Sequence, residues 1–176
     1  MNNRTDNQRF DLYCDLDGVL VNFIKGASTL YQHVHNEEYD NSKYSDEEYA
    51  NQLWKTVNDY IDAGNEFWFN LEKLPDADKL WTHIKHMDPI ILTATGRRYQ
   101  PAAEQKAKWV THNINTSTKT IAVTRSVDKA QYASPNAILI DDSPRSINPW
   151  IQAGGIGILH TSAADTIQQL NKILGR

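Results

Sequence analysis

Three short apolar segments of this sequence are each followed by side chains that can take part in catalysis or bind a metal. These side chains are the pairs Asp15 and Asp17, Thr93 and Thr95, and Asp141 and Asp142. If the segments are parallel strands of one sheet, their carboxyl ends meet at one edge, where ligands bind in such sheets. Four carboxylates at one site repel one another strongly unless a cation neutralises them.

The acidic residues indicate a particular metal and a particular chemistry. Hard carboxylate oxygens without a cluster of cysteine and histidine favour Mg²⁺ over zinc. Mg²⁺ is usually held by one or two carboxylates together with a substrate phosphate. The candidate metal ligands are Asp15, Asp17, Asp141 and Asp142. Together with the hydroxyl of Thr93, or of Thr95 in its place, they predict chemistry on a phosphate group.

The elements that must position these residues follow from the hydrophobic pattern. Five apolar runs are predicted strands, over residues 11–16, 89–93, 120–123, 137–140 and 157–160. Apolar residues at helical spacing predict three helices, over residues 76–87, 101–113 and 165–174. Continuous apolar strands that alternate with helices indicate an α/β fold, with a parallel sheet covered by helices on both faces.

One connection is far longer than a single crossover helix requires. It lies between the first two strands and contains two predicted helices, at about residues 23–35 and 46–63. Ser45 is a good N-cap for the second helix, whose first turn is acidic. We predict a small helical cap at residues 22–74, inserted into a core formed by residues 1–21 and 75–176.

Length and composition limit the class of protein. The chain has 176 residues, of which 40% are hydrophobic, which is enough for a core and too much for a disordered chain. Its net charge of -4 provides no overall attraction to nucleic acid or to anionic membranes, although a local basic patch is still compatible with it. The sequence has no run of about 18 apolar residues and no apolar N-terminal signal core. With one cysteine, Cys14, these features predict a soluble cytoplasmic protein without an internal disulfide.

The acidic motifs also resemble those of a known superfamily. Residues 15–18 (DLDG), after an apolar strand, resemble the first motif of the haloacid dehalogenase (HAD) superfamily of phosphotransferases. Residues 90–93 (IILT) resemble its second motif and residues 138–142 (ILIDD) its fourth, while Lys129 or Lys106 is the candidate for the third. The resemblance implies a Rossmann-like core with a cap inserted after the first strand.

Several segments resemble more narrowly the 5'(3')-deoxyribonucleotidase branch of this superfamily. They are residues 67–77 (FWFNLEKLPDA), 106–110 (KAKWV) and 123–125 (VTR), the last shortly before Lys129. Two loops depart from the Thr-Ser-Pro and Thr-Arg-Asp-Lys sequences of that branch, and these loops face the substrate in the family. The substrate-binding residues that the resemblance implies are Phe67, Trp68, Ala94, Lys106 and Arg125. For Phe67 and Trp68, packing in the core and stacking on a base are both open.

The resemblance implies a reaction and a role for each residue. Asp15 attacks phosphorus, forms an aspartyl-phosphate and contacts Mg²⁺. Asp17 protonates the leaving oxygen and then activates water, which requires a raised pKa, and its backbone carbonyl binds the metal. Thr93 bonds a phosphoryl oxygen, and Lys129 neutralises charge on the phosphoryl group. One of the two aspartates that end the fourth motif completes the metal shell.

The implied activity is Mg²⁺-dependent hydrolysis of a small phosphate ester, with a nucleoside 5'- or 3'-monophosphate, and especially a deoxyribonucleotide, as the favoured substrate. One alternative is a 3'-phosphatase that acts on nucleic-acid ends along a local basic path. The residues of that path are Arg97, Arg98, Lys106 and Lys108. A second alternative is a catalytically silent binding module, but such a module has no need of the acid and base carboxylate of Asp17.

Overall fold

The structure is a computed structural model that describes residues 9–96 and 99–176. Within these residues, five parallel strands form one sheet in the order β3-β2-β1-β4-β5. The strands are β1 (Asp11–Cys14), β2 (Ile90–Ala94), β3 (Thr120–Val123), β4 (Ala137–Asp141) and β5 (Ile156–Leu159). Helices flank the sheet, so the predicted α/β fold with a five-stranded parallel sheet is confirmed.

The register of the central strands explains why polar residues meet at one edge of the sheet. Cys14 of β1 pairs with Ile140 of β4 on one side and with Ile91 of β2 on the other. The amide of Asp15, one residue further on, donates to the Ile140 carbonyl at 2.8 Å. All five residues of β4 are buried, as expected for a strand with neighbours on both sides. Asp15 and Asp141 therefore lie at the ends of adjacent strands.

Six α-helices are present in the part of the chain that the structure describes. They are α1 (Phe23–His35), α2 (Glu47–Asp62), α3 (Ala77–Ile84), α4 (Tyr99–Asn113), α5 (Pro144–Gln152) and α6 (Ala163–Ile173). Asp46, and not the predicted Ser45, caps α2, because its carboxylate accepts the amide of Tyr49. Among the described residues, no helix is both long and apolar enough to cross a membrane.

Helix α5 is not predicted by the sequence pattern. Pro149 lies inside it and removes a backbone donor, which normally argues against a helix. Pro144 occupies the first turn, where the missing N–H has no intrahelical partner to lose. Ile147 and Trp150 are buried on one face, and the Trp150 indole donates to the Ala137 carbonyl at 3.3 Å. Packing against the sheet thus outweighs the effect of the internal proline.

The long connection between β1 and β2 contains α1 and α2, which pack against each other. The residues at the two ends of the predicted cap lie side by side, because the Asn22 amide donates to the Glu72 carbonyl and the Leu74 amide to the Leu20 carbonyl, both at 2.9 Å. Buried side chains of this connection belong to the same hydrophobic cluster as those of β1 and β4. The two helices of the predicted cap are therefore present, while its boundary with the core stays a prediction.

Candidate active site

Three charged side chains meet where β1 and β4 end. Lys129 lies with its Nζ atom 2.8 Å from Asp15 Oδ1 and 2.6 Å from Asp141 Oδ2. Lys129 is 1% exposed and Asp141 is 0% exposed, so these ion pairs are shielded from water. Burial alone would lower the pKa of Lys129, but the charges of Asp15 and Asp141 outweigh it and raise that pKa. Lys129 is therefore a fixed ammonium group beside both carboxylates.

Asp15, Asp141 and Asp142 form an acidic group of the kind that holds a cation. One carboxylate oxygen of each residue lies within 4.8 Å of the other two. Burial raises the pKa of Asp141 to about 6, and the charge of Asp15 adds to this effect. Loss of hydration and the charges of Asp15 and Asp141 raise the pKa of Asp142 to about 7, even though its side chain still reaches solvent. The three carboxylates repel one another, and a hard divalent cation between them would relieve that repulsion.

The turn after Asp17 brings the backbone against Asp142. Gly18 has a φ of +75°, in the left-handed region, and its amide donates to the Val21 carbonyl at 2.9 Å. A Cβ atom built on Gly18 would overlap the carboxylate of Asp142. Glycine is therefore needed here both for the backbone conformation and for the space that Asp142 occupies.

Asp17 has a separate environment. Its Oδ2 atom accepts a hydrogen bond from Lys106 of α4, whose Nζ atom also donates to the Thr93 hydroxyl at 3.1 Å and to the Ala94 carbonyl at 2.6 Å. Burial raises the pKa of Asp17, and the positive charge of Lys106 opposes this rise. Its other oxygen, Oδ1, is buried without a hydrogen-bond partner among the described residues. The Asp17 carboxyl therefore lies outside the acidic group, and a metal contact through the Asp17 backbone carbonyl stays a prediction.

The two candidate lysines thus occupy different positions. Lys129 lies beside Asp15, the predicted nucleophile, whereas Lys106 lies beside Asp17, the predicted acid and base. Both lysines are 1% exposed, so neither is the solvated surface residue that a lone lysine usually is. The geometry favours Lys129 for charge on the phosphoryl group, and it gives Lys106 a contact with Asp17 that the sequence did not predict.

The two candidate threonines also differ. The hydroxyl of Thr93 is buried and accepts from Lys106, whereas the hydroxyl of Thr95 donates to the Val123 carbonyl of β3 at 3.1 Å. Thr93 therefore shares Lys106 with Asp17, whereas Thr95 is bonded to β3. The carbonyl of Ala94 accepts a hydrogen bond from Lys106 at 2.6 Å, which leaves one lone pair of this oxygen for a further donor.

Phe67 and Trp68 are 5% and 3% exposed, and both pack in the hydrophobic cluster. The Trp68 ring stacks on Phe23 at a centroid distance of 5.4 Å, and Lys106 Nζ lies 4.1 Å from its centroid. Phe67 meets the rings of Phe23 and Trp68 edge to face. Neither ring presents an exposed face to a base, so the geometry favours core packing over stacking for these two residues.

The basic residues proposed for substrate contact are engaged at the surface. Arg125 is exposed, and its guanidinium lies 2.7 Å from Asp128. Lys108 Nζ lies 3.0 Å from a carboxylate oxygen of Glu66. The structure does not bring Arg125 into contact with the acidic group. The two arginines predicted to follow the second strand, at positions 97 and 98, lie outside the described residues.

Sequence reasoning missed two neighbours of the site. Tyr44, in the connection between α1 and α2, packs against the hydrophobic cluster. Burial is the largest effect on Tyr44 and raises its pKa. A hydrogen bond with Trp54 and the charge of Arg145 lower this pKa. The charges of Asp142 and Asp17 raise it. Its hydroxyl therefore lies within electrostatic range of both aspartates. The second neighbour is Arg145, three residues after Asp142. No periodic pattern in the sequence marks Tyr44, and for Arg145 the only available signal was its short distance along the chain from Asp142.

Comparison by sequence identifies a family. The model of the family described as "5' nucleotidase, deoxy (Pyrimidine), cytosolic type C protein" matches residues 9–170. A comparison with curated proteins finds no match. The family match covers both the strand ends that carry the acidic residues and the long connection between β1 and β2.

Several solved structures with a similar fold are described as hydrolases. One from Streptococcus pneumoniae TIGR4 is 17% identical with a TM-score of 0.56, over 96% of this chain and 100% of that chain. One from Pseudomonas syringae is 13% identical with a TM-score of 0.59, over 93% and 98% of the two chains. A HAD family hydrolase from Deinococcus radiodurans R1, with bound phosphate and sodium, is 14% identical with a TM-score of 0.57, over 94% and 89%. At these identities the likeness shows the fold alone. The match over residues 9–170 shows that this chain belongs to the 5' nucleotidase, deoxy (pyrimidine), cytosolic type C protein family, a family of phosphatases, and its fold is that of HAD family hydrolases.

Proposed function

We propose that this protein is a Mg²⁺-dependent phosphomonoesterase that hydrolyses nucleoside 5'- or 3'-monophosphates, deoxyribonucleotides in particular, through an aspartyl-phosphate. The observation that carries the proposal is the separation of two carboxyls at the end of β1. Asp15 belongs to the acidic group and contacts Lys129, whereas Asp17 is bonded to Lys106. Two carboxyls in such different environments suit two different chemical roles.

The acidic group fits a divalent metal. Its three carboxylates provide hard oxygen ligands, and burial, followed by the charge of Asp15, raises the pKa of Asp141 and of Asp142. Asp15, Asp141 and Asp142 would hold Mg²⁺, and the bound ion would neutralise charge on the phosphoryl oxygens. The Deinococcus hydrolase of similar fold binds phosphate and sodium, which supports an ion and phosphate site in a fold of this kind.

Asp15 is the nucleophile in this proposal. Its carboxylate attacks phosphorus, the bond between phosphorus and the leaving oxygen breaks, and the phosphoryl group is transferred to Asp15. Lys129 lies 2.8 Å from the attacking residue as a fixed positive charge, so it offsets the charge of the phosphoryl group as the bond forms. Asp15 Oδ1 has no hydrogen bond among the described residues, so Lys129 acts on this oxygen through its charge.

Asp17 is the general acid and base. Burial raises its pKa, which favours the protonated form that the leaving oxygen requires in the first step. The resulting carboxylate then takes a proton from the water that hydrolyses the aspartyl-phosphate. Lys106 stabilises this carboxylate, and it also holds the Thr93 hydroxyl at 3.1 Å, beside the place proposed for a phosphoryl oxygen.

The family description supports the choice of a deoxyribonucleotide as substrate and of the cytoplasm as location. The surface charges give less support to nucleic-acid ends. Arg125 and Lys108 are each paired with a neighbouring carboxylate, which reduces the net positive charge available to a phosphate backbone. We therefore propose small phosphate esters as substrates, and a 3'-phosphorylated polynucleotide is the alternative substrate to be compared with them.

A panel of substrates tests the proposal. The purified protein with Mg²⁺ is assayed for phosphate release from deoxyribonucleoside and ribonucleoside monophosphates, a 3'-phosphorylated oligonucleotide and phenyl phosphate. The deoxyribonucleotides should give the highest kcat/KM, and Asp15→Asn should lower it by at least about a thousandfold. Higher kcat/KM with the oligonucleotide would identify a phosphatase of nucleic-acid ends, and no release from any ester would identify a binding module.

A further inference from the structure

Strand β5 leaves one of its backbone edges open. In the part of the chain that the structure describes, β5 pairs with β4 alone, so its other side meets no strand. The His160 amide, directly after β5, donates to the Asp141 carbonyl of β4 at 2.8 Å. Because alternate residues of a strand direct their backbone groups to opposite sides, those of Gly157 and Leu159 point away from β4. Their N–H and C=O groups are therefore available to another strand.

An apolar patch lies along this open edge. Leu159 is 39% exposed and Ile151 of α5 is 51% exposed, so both leave a large apolar side chain in water. A Cβ atom built on Gly157 would lie 3.1 Å from the Ile151 side chain. Gly157 and Leu159 are two residues apart, so they face the same side of the sheet, which is the side of α5. Ile151 and Leu159 therefore flank the bare backbone of Gly157, and we call these three residues the β5 patch.

No charge protects this edge from a second strand. Residues 146–164 contain no aspartate, glutamate, lysine or arginine, although charged residues make up 23% of the chain. Their one histidine, His160, is buried, and this burial lowers its pKa. Edge strands that stay unpaired usually carry a lysine, a proline or a bulge. The opposite edge strand, β3, has Lys119 and Arg125 beside its ends, whereas the residues that flank β5 are uncharged.

We propose that the β5 edge pairs with the β5 edge of a second copy of this chain, antiparallel about a twofold axis at Ile158. This register sets Gly157 of each copy opposite Leu159 of the other, where the outward backbone groups form about four hydrogen bonds. Side chains of directly opposite residues lie on the same face of a sheet. The Leu159 side chain of each copy therefore enters the space beside Gly157 and packs on Ile151 of the other copy.

The β5 patch matches itself, which favours a second copy over an unrelated strand. The exposed leucine and the gap at the glycine lie on one surface and meet across a twofold axis, so pairing buries both exposed side chains. Two copies with a net charge of -4 repel each other, and uncharged surfaces approach with the least repulsion. The two sheets run in opposite directions, so the acidic groups lie at opposite edges of the joined sheet. Pairing therefore leaves both candidate active sites open.

Sedimentation equilibrium of the full chain at about 1–500 μM tests the pairing. Two short strands and two apolar contacts bury less than the area of about 800 Å² per partner of a standard interface, so we expect a Kd of about 10–100 μM. Leu159→Lys places a charge in the β5 patch of each copy and should raise this Kd at least about tenfold. The matched control is Val34→Lys, because Val34 is 54% exposed on α1, and it should dimerise like the wild type. A wild-type chain that is monomeric at about 500 μM, or a Leu159→Lys chain that dimerises like the wild type, would overturn the proposal.

Hydrogen exchange of the wild-type chain locates the contact. Between the lowest and the highest concentration, the amides of Gly157 and Leu159 should exchange about threefold to tenfold more slowly, in line with the fraction of dimer. The amide of Ile158 faces β4 and should exchange at the same rate throughout. A dimer in which the amides of Gly157 and Leu159 gain no protection uses another surface, and that result would contradict the proposal. Neither measurement uses catalysis, so failure of the proposed function would leave both results unchanged.

Discussion

Replacement of Asp142 by asparagine should make the metal-free protein more stable at pH 8. The pKa of the Asp142 carboxyl rises from 3.8 to about 7 in the folded protein, chiefly through loss of hydration and then through the charges of Asp15 and Asp141. A carboxyl with a raised pKa binds its proton more tightly in the folded than in the unfolded state. The folded protein therefore loses stability as the pH rises from about 4 to about 7. For a carboxyl fully shielded from water, a pKa shift of this size would change the free energy of unfolding by about 4 kcal/mol.

Because Asp142 reaches solvent, screening reduces that figure, and we expect about 1–2 kcal/mol. Without metal at pH 8, Asp142→Asn should melt about 2–8 °C above the wild type, and the difference should vanish near pH 4. Mg²⁺ at about one hundred times its Kd should stabilise the wild type by about 2.7 kcal/mol, and should stabilise the variant much less. Thermal melts with chelator and with Mg²⁺ across this pH range measure both effects.

The matched control is Asp59→Asn, which removes an exposed carboxylate that pairs with Lys55 on α2. It should change stability by about 0.5 kcal/mol or less, with the same response to Mg²⁺ as the wild type. If Asp142→Asn melts below the wild type at pH 8 without metal, the carboxylates do not repel one another as described. If it responds fully to Mg²⁺, Asp142 is not a ligand.

Three further changes test single contacts. Lys129→Met leaves two buried carboxylates without their positive partner, so the free energy of unfolding measured in urea should fall by about 3–5 kcal/mol. Partial recovery of this stability on addition of Mg²⁺ would agree with a cation site at the same carboxylates. Lys106→Met removes the charge that opposes the raised pKa of Asp17, so the pH profile of kcat should move to higher pH, and an unmoved profile would contradict this role. Gly18→Ala places a methyl group on the Asp142 carboxylate and strains a positive φ. It should therefore weaken Mg²⁺ affinity at least about tenfold, as measured by titration calorimetry. An affinity equal to that of the wild type would show that Asp142 can move away from the added methyl group.

The parts of the site that lie at strand ends could be predicted from the sequence. Apolar runs locate β1 and β4, and a parallel sheet then brings Asp15 and Asp141 to the same edge whatever the connections between them. The argument needs only the strand direction and the position of each residue relative to the strand end. It therefore predicts proximity, but it does not predict which oxygen contacts which partner.

Contacts that depend on the position of a helix could not be predicted in this way. Lys106 reaches Asp17 from the second turn of α4, across 89 residues of sequence, and neither residue type marks the pair. The orientation of Trp68 depends on Phe23 and Gln105, which come from α1 and α4. Such contacts follow from tertiary packing, which hydrophobic periodicity does not encode.

The paired ends of the predicted cap have a consequence for how this protein can vary. The chain leaves the sheet region at Leu20 and returns at Leu74 within hydrogen-bond distance of the same point. The distance spanned is thus independent of the number of residues in between, and each doubling of a loop's length costs only about 0.6 kcal/mol in closure entropy. The segment between these residues nevertheless packs in the same hydrophobic cluster as β1 and β4, and its Trp68 ring contacts Lys106. Its length and exposed surface can therefore vary among relatives where the buried contacts are kept, while Asp15 and Asp141 stay at the ends of two adjacent strands.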